Sequence, residues 1–159
     1  MKILVLAVAI TGAGQPTTPA DDPFCDDIRA LARGAEEPDP FRSLRDREFT
    51  PRLGRGHCFF SDAGGYTCGH NLSRPEETRE AYAARIHACL PGSVRETDRD
   101  YLRHYEIVRS GRFEARVIEH GADRGHVGRT VNIYIQAAGP MAESASHVSG
   151  KVQSGGARR

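Results

Sequence analysis

Hydrophobic and polar residues alternate unevenly along the chain, and the first abrupt change lies near the N-terminus. A basic residue, Lys2, precedes an unbroken apolar run over 3–10; small residues follow, and a polar, proline-rich stretch ends at Pro23. This order is typical of a secretory signal, and the run is too short to span a bilayer as a helix. A buried first strand is the alternative, but the proline-rich stretch could not continue into a crossover helix. The pattern therefore predicts a signal peptide over 1–14 and a linker over 15–23.

Amphipathic helical spacing appears first just after the linker. Phe24, Ile28 and Leu31 recur at i, i+4 and i+7, acidic residues lie near the start, and Gly34 provides a stop. A single helical turn is predicted over 41–45, after a turn-rich break.

A second helix is predicted to begin at Ser73, which caps it, while Glu76 closes a capping box and Pro75 is tolerated in the first turn. Pro91 and the glycine after it end the helix. We expect one buried stripe and one exposed side: Tyr82, Ile86, Cys89 and Leu90 inward, and Arg79, Glu80, Ala83 and His87 outward.

Between the two helices the pattern predicts a β-hairpin. Residues 56–60 and 66–70 form its arms, and Gly64 and Gly65 supply the backbone freedom of its turn. If the two cysteines of the hairpin lie opposite each other, its residues divide between the faces as follows: Cys58, Phe60, Tyr66 and Cys68 on one, and His57 and Phe59 on the other.

Three further strands are predicted after a polar loop, over 101–108, 112–118 and 130–136. The last strand alternates with a period of two. Its inward and outward residues are Val131, Ile133 and Ile135, and Thr130, Asn132 and Tyr134, respectively.

The pairing of the first two of these strands depends on the length of the loop near Gly111. A two-residue loop would bury His104 and Glu106 beside apolar partners, whereas a three-residue loop with a left-handed glycine buries apolar residues and no charge. We expect the three-residue loop. It places Glu106 opposite Glu114 and His104 opposite Arg116.

These elements predict an α+β fold of order α-β-β-α-β-β-β. An antiparallel sheet, made of the hairpin plus a three-stranded meander, carries two helices on one face. The chain is long enough for one domain, which we place over 24–136. The low-complexity residues 137–159 are predicted to be a disordered tail.

Four cysteines follow the signal, namely Cys25, Cys58, Cys68 and Cys89. In a small exported chain this number favours two disulfides, for which three pairings are possible. Cys58 with Cys68 suits a non-hydrogen-bonded pair of the hairpin, and Cys25 with Cys89 would then join the two helices. A zinc site would need closely spaced thiols such as C-x-x-C, which the chain lacks.

Charge and motifs exclude more functions than they identify. The formal net charge is +1, and aromatic residues do not alternate with the arginines, so we predict no nucleic-acid partner. No G-x-S-x-G, S-x-x-K, G-x-G-x-x-G or P-loop is present. We therefore name no catalytic residue and predict no cofactor, and nothing after the signal is apolar enough for a transmembrane segment.

Histidines suggest one metal site. His120, Asp123 and His126 lie within a glycine-rich loop, and two imidazoles with a carboxylate could reach one ion. A polar surface loop is the alternative reading. Since no rigid ligands from neighbouring strands can be named, we assign no metal. His57 and His70 flank the disulfide hairpin but are expected to point to opposite faces.

Polar and aromatic side chains gather on the outward face of the meander. Opposed glutamates can mark an acid–base site with separated pKa values, but nearby arginines favour a solvated charge network. We predict that this face is an interaction surface, formed by His104, Glu106, Glu114, Arg116, Asn132 and Tyr134.

Part of the chain resembles a group of small exported proteobacterial proteins of unassigned function. The segments that carry the resemblance are the cysteine-bearing first helix, the segment 41–45, the Cys58 strand, the stretch 65–68 and the helix end at 88–92. The resemblance covers about 25–92, rests on cysteine spacing, and implies export and disulfides but no activity. We expect a periplasmic or secreted, non-enzymatic binding factor of the inhibitor, immunity or envelope-accessory type, whose partner is a protein or small ligand of the cell envelope. The alternatives are a metal-binding protein or metal-dependent hydrolase using the 120–126 loop, and a purely structural domain.

Overall fold

The computed structural model describes residues 22–54, 56–99, 103–121 and 128–139. The predicted signal peptide lies outside these residues, as do residues 140–159 of the predicted tail. The tail begins later than predicted, because Ala137 belongs to the last strand and Ala138 N donates to the Arg112 carbonyl oxygen. The described elements are, in order, α1 (Pro23–Ala35), α2 (Arg42–Arg45), β1 (His57–Ser61), β2 (Gly65–Asn71), α3 (Arg79–Cys89), β3 (Val94–Arg99), β4 (His104–Ser110), β5 (Phe113–His120) and β6 (Thr130–Ala137). None of these helices is long and apolar enough to cross a membrane.

Helices and an antiparallel sheet, held by two disulfides, confirm the predicted class. The predicted strand number is wrong. The sheet in the structure has six strands, in the order β1-β2-β6-β5-β4-β3, where a hairpin plus a three-stranded meander is predicted. The last strand in sequence, β6, lies in the middle, where it pairs with β2 on one side and β5 on the other. Hairpin and meander therefore form one continuous sheet.

The unpredicted strand is β3, which lies at one edge of the sheet and pairs with β4. Its sequence, VRETDR, shows no apolar alternation, and all of its residues are exposed. Charged residues on an edge strand discourage pairing with a further chain. The same charges remove the hydrophobic signal by which strands are predicted.

The register predicted between β4 and β5 is also wrong. Ser110 pairs with Phe113, so the loop has two residues, and Gly111 takes a φ of 56° at its first position. Glycine at that position is what a type II′ turn requires. Glu106 therefore lies opposite Val117, not Glu114, and on the face that the helices cover.

Burial of Glu106 is possible because β3 supplies its partners. The residue is 3 % exposed, and its carboxylate accepts hydrogen bonds from Arg95 Nε at 2.7 Å and Thr97 Oγ1 at 2.9 Å. A buried carboxylate without such donors would be strongly destabilising. The three-residue loop is expected because it buries no charge, and this expectation fails because the unpredicted strand β3 supplies the partners of Glu106.

The helices α1 and α3 cover one face of the sheet and are joined by the disulfide between Cys25 and Cys89. Asp22 caps α1 by accepting from Phe24 N at 3.0 Å, and the same carboxylate pairs with Arg85 of α3 at 2.8 Å. The buried core between helices and sheet includes Ile28, Leu31, Phe41, Leu44, Tyr66, Ile86, Phe113, Val117, Val131, Ile133 and Ile135.

The helix α3 begins later than predicted. Its N-cap is Thr78, whose side chain accepts from Ala81 N at 3.1 Å. Ser73 lies in a separate turn, in which the Glu77 carboxylate accepts from Ser73 N at 2.9 Å and Arg74 N at 3.1 Å. The predicted capping box therefore does not form.

The buried stripe of α3 is rotated slightly from the predicted one. Ala83, expected outside, is completely buried, whereas Tyr82 is half-buried. Tyr82 packs beside His70 of β2, with ring centroids 5.8 Å apart. Ile86, Cys89 and Leu90 are buried as predicted.

The hairpin and the last strand follow the prediction closely. Cys58 lies opposite Cys68 with their Cα atoms 4.1 Å apart, and the two form a disulfide. A separation this short fits a non-hydrogen-bonded pair. On β6 the predicted inward residues are buried, and the predicted outward residues line the opposite face.

Candidate binding groove on the open face of the sheet

The sheet presents a second face that none of the described helices covers, called the open face here. Because side chains alternate along each strand, the register determines which residues share it. One row crosses all six strands, in the order Phe59, Thr67, Tyr134, Arg116, Ile107 and Glu96.

A buried carboxylate lies on the β5 side of the open face. Glu114 is 4 % exposed, and it accepts hydrogen bonds from Arg116 Nε at 2.6 Å, Gln136 Nε2 at 2.7 Å and Arg109 Nε at 2.8 Å. Arg109 also pairs with Glu96 on the edge strand β3. We call these five residues the charged cluster.

Electrostatics keep this carboxylate ionised. Burial by itself would raise the pKa of Glu114, but the hydrogen bonds from Arg116, Arg109 and Gln136 outweigh it and hold the pKa below its ordinary value. The bond to Glu114 in turn raises the pKa of Arg109. A carboxylate that is ionised and surrounded by donors is a structural group; it has no proton to donate and is poorly placed to accept one.

A groove of about 640 Å³ lies on the other half of the open face, over β1, β2 and β6. Its floor is formed by Thr67 and Gly69 of β2, and its sides by His57 and Phe59 of β1 and by Asn132 of β6. Small residues on the central strand, between larger ones on its neighbours, create the depression. We call it the groove.

Hydrogen-bonding side chains without formal charge dominate the lining of the groove. They are His57, Thr67, Asn71, Ser73, Thr130 and Asn132. Among the described lining residues there is no aspartate, glutamate, lysine or arginine. The site therefore suits a ligand that exchanges hydrogen bonds and carries little charge.

Two exposed aromatic rings flank this polar lining. Phe59 is 58 % exposed and Tyr134 is 37 % exposed, and both lie in the same cross-strand row, separated by Thr67. The Tyr134 hydroxyl accepts a hydrogen bond from Asn132 Nδ2 at 3.4 Å, which links the tyrosine to the groove wall. Both rings are thus accessible to solvent beside the groove.

The structure separates the residues predicted to form one interaction surface. Glu114, Arg116, Asn132 and Tyr134 lie on the open face. Glu106 faces the helices, and the alternation of β4 places His104 on the same side as Glu106. Four of the six residues of the predicted surface therefore share one face of the sheet, and two lie on the other.

The predicted metal ligands are only partly described. His120 ends β5 and is exposed, while Asp123 and His126 lie outside the described residues. Within the described ranges, no group of three or more His, Cys, Asp or Glu residues is arranged to hold a metal ion. His57 and His70 point to opposite faces of the hairpin, as predicted, and His70 is buried.

Phe59, Thr67 and Gly69 were missing from the predicted surface. The hairpin pattern had already placed His57 and Phe59 on its outer face, but nothing in the sequence indicated that β2 would pair with β6. The available signal was the succession of small residues at Thr67 and Gly69, alternating with the large residues of the buried face.

No protein-family model, no curated protein and no solved structure matches this chain.

Proposed function

We propose that the chain is a non-enzymatic binding protein of the periplasm or the extracellular space, and that it holds its partner in the groove. One observation carries this proposal: exposed Phe59 and Tyr134 flank a depression lined by uncharged hydrogen-bonding groups, on a face that no described helix covers. Such a surface offers affinity through the rings and orientation through the polar groups.

The chemistry of the remaining polar groups supports binding over catalysis. The Glu114 carboxylate is occupied by three donors, and Glu106 is enclosed by Arg95 and Thr97. All four cysteines are in disulfides, so none is available as a nucleophile. These two carboxylates and four cysteines are thus committed to the fold.

Export is supported by two independent features. The N-terminal pattern over 1–14 has the order of a secretory signal. Disulfides persist mainly in oxidising compartments, and this small domain has two.

Photo-crosslinking in the producing cell tests the proposal. A benzophenone amino acid replaces Phe59 in one variant and Val94 in another; Val94 is 56 % exposed and lies on the same face at the opposite edge. We expect a discrete crosslinked product from position 59 and none from position 94. Equal products from both positions, or none from position 59, would contradict a partner in the groove.

A further inference from the structure

We infer that the ligand of the groove is a neutral oligosaccharide. This inference rests on the proposed function and adds the chemical class of the partner. It follows from three observations considered together: the spacing between Phe59, which lines the groove, and Tyr134 beside it; the kind of hydrogen-bonding groups that line the groove; and the absence of Asp, Glu, Lys and Arg from its described lining.

The aromatic rings are placed for sugar rings. Phe59 on β1 and Tyr134 on β6 lie two strands apart in one row, which corresponds to about 10 Å at the usual strand spacing. A pyranose ring has an apolar face of C–H groups that packs on an aromatic ring, and its hydroxyls project from the edge. A short saccharide lying across the strands could therefore contact both rings.

Thr67 lies between the two rings, and further groove residues that both donate and accept follow along β2 and β6. The amides of Asn71 and Asn132 and the hydroxyls of Thr67 and Thr130 have this dual capacity. A sugar hydroxyl is also a donor and an acceptor at once, so each can be matched without an ion. The Asn132 Oδ1 atom lies over the floor, 3.4 Å from where a Cβ on Gly69 would be.

Charge disfavours the competing ligands. Nucleic acids also stack on aromatic rings, but their phosphates require a basic groove. The nearest cation in the row is Arg116, beside Tyr134, and it is hydrogen-bonded to Glu114. An acidic or basic ligand would lose hydration in the groove without gaining a counter-charge from its described lining.

Binding of defined sugars tests the inference on the full disulfide-bonded chain. Cellohexaose, chitohexaose and maltohexaose are each titrated, with calorimetry and NMR chemical shifts as readouts. We expect at least one of them to bind and to shift the amide signals of Thr67, Gly69 and Asn132. Failure of all three to bind at millimolar concentration, or shifts confined to the charged cluster, would overturn the inference.

Two variants and a control identify the site. Phe59→Ser is expected to weaken binding about 10-fold, because one stacking ring is lost. Gly69→Val is expected to abolish binding by filling the floor. The strand has room for a side chain at position 69. It has none at position 65, where a Cβ would lie 2.2 Å from the Ile135 carbonyl oxygen. Val94→Ser, equally exposed at the other edge, should bind as the unmodified protein does. Unchanged affinity in both groove variants would refute the assignment.

The outcome also separates this inference from the proposed function. If position 59 crosslinks to a protein while none of the sugars binds, the groove is a binding site but its ligand is not a glycan. If position 59 gives no product and no sugar binds, both proposals fail.

Discussion

The open face of the sheet consists of two halves that are built on different principles. On β1, β2 and β6 the side chains are small, polar and uncharged, with two exposed rings, and a disulfide joins the first two strands. On β5, β4 and β3 the arginines of the charged cluster surround its buried member Glu114, and four of the six residues of the edge strand are charged.

The two halves differ in what holds their strands and side chains in place. In the charged half, long side chains are held by one another through ion pairs, so little of their hydrogen-bonding capacity remains for a ligand. In the groove half, a covalent link replaces such a network, since the Cys58–Cys68 bond leaves the side chains of the open face uninvolved. The link that stabilises these strands therefore lies on the opposite side of the sheet from the side chains of the groove.

The largest effect is expected for the disulfide that serves both halves. Replacing Cys25 and Cys89 together by serine opens a link that spans 64 residues and should lower the free energy of unfolding by about 4 kcal/mol. Both helices would then lose their mutual constraint above the sheet, where α1 packs on β5 and β6 and α3 packs on β3, β4 and β5. Urea denaturation followed by circular dichroism measures the loss, and hydrogen exchange should rise in β2 and β5 alike. A loss confined to one half would contradict this common role.

A smaller and more local effect is expected for the other disulfide. Its closure spans 10 residues, so Cys58→Ser with Cys68→Ser should cost about 2.5 kcal/mol. Amide exchange should accelerate in β1 and β2 and change little in β4. If β4 responded as strongly as β1, the two halves would have to be regarded as one stabilising unit.

Local patterns made the groove half the more predictable one in fold. The facing cysteines set the register of the hairpin, and the alternation from Val131 to Ile135 identified the faces of β6. Predicting the groove would require knowing that Gly69 pairs with Asn132. The two residues are distant in sequence, and neither local pattern indicates that they pair. The polar and aromatic residues of the groove can be identified from the sequence, but the residues beside them on neighbouring strands cannot.

The prediction fails in the charged half because the sequence pattern does not reveal β3, the strand that supplies the partners of Glu106. Without β3, Glu106 has no partner on the covered face, since Arg95 and Thr97 both belong to that strand. Edge strands carry charge for a physical reason, and this conceals them from hydrophobic periodicity. Because β3 is not predicted, the register of the neighbouring pair, β4 and β5, is predicted wrongly.

Within the charged half, Glu114→Gln is expected to lower the free energy of unfolding by about 2 kcal/mol at pH 7, because two arginines lose the anion between them. The native pKa of Glu114 is held below its ordinary value of 4.5, so its contribution is present above that value and is lost as the pH falls through the native pKa. The stabilities of variant and unmodified protein should therefore converge in acid.

Urea denaturation at pH 7 and at progressively lower pH provides the measurement. Glu96→Gln is the matched control, since Glu96 also pairs with Arg109 but is half-exposed, and it should cost less than about 1 kcal/mol. A gap between Glu114→Gln and the unmodified protein that stayed constant with pH would show that shape, not ionisation, explains the cost.

The smallest effect on stability, and the one that best separates the halves, is expected for Phe59→Ser. The ring is 58 % exposed, so its removal should change the free energy of unfolding by no more than about 0.5 kcal/mol, and Val94→Ser should do the same at 56 % exposure. The two variants are thus matched in face, exposure and cost, yet only the first should lose binding. Parallel urea denaturation and sugar titration of both would show this split; a destabilisation of 2 kcal/mol or more by Phe59→Ser would instead mean that the ring supports the sheet, as Glu114 does in the other half.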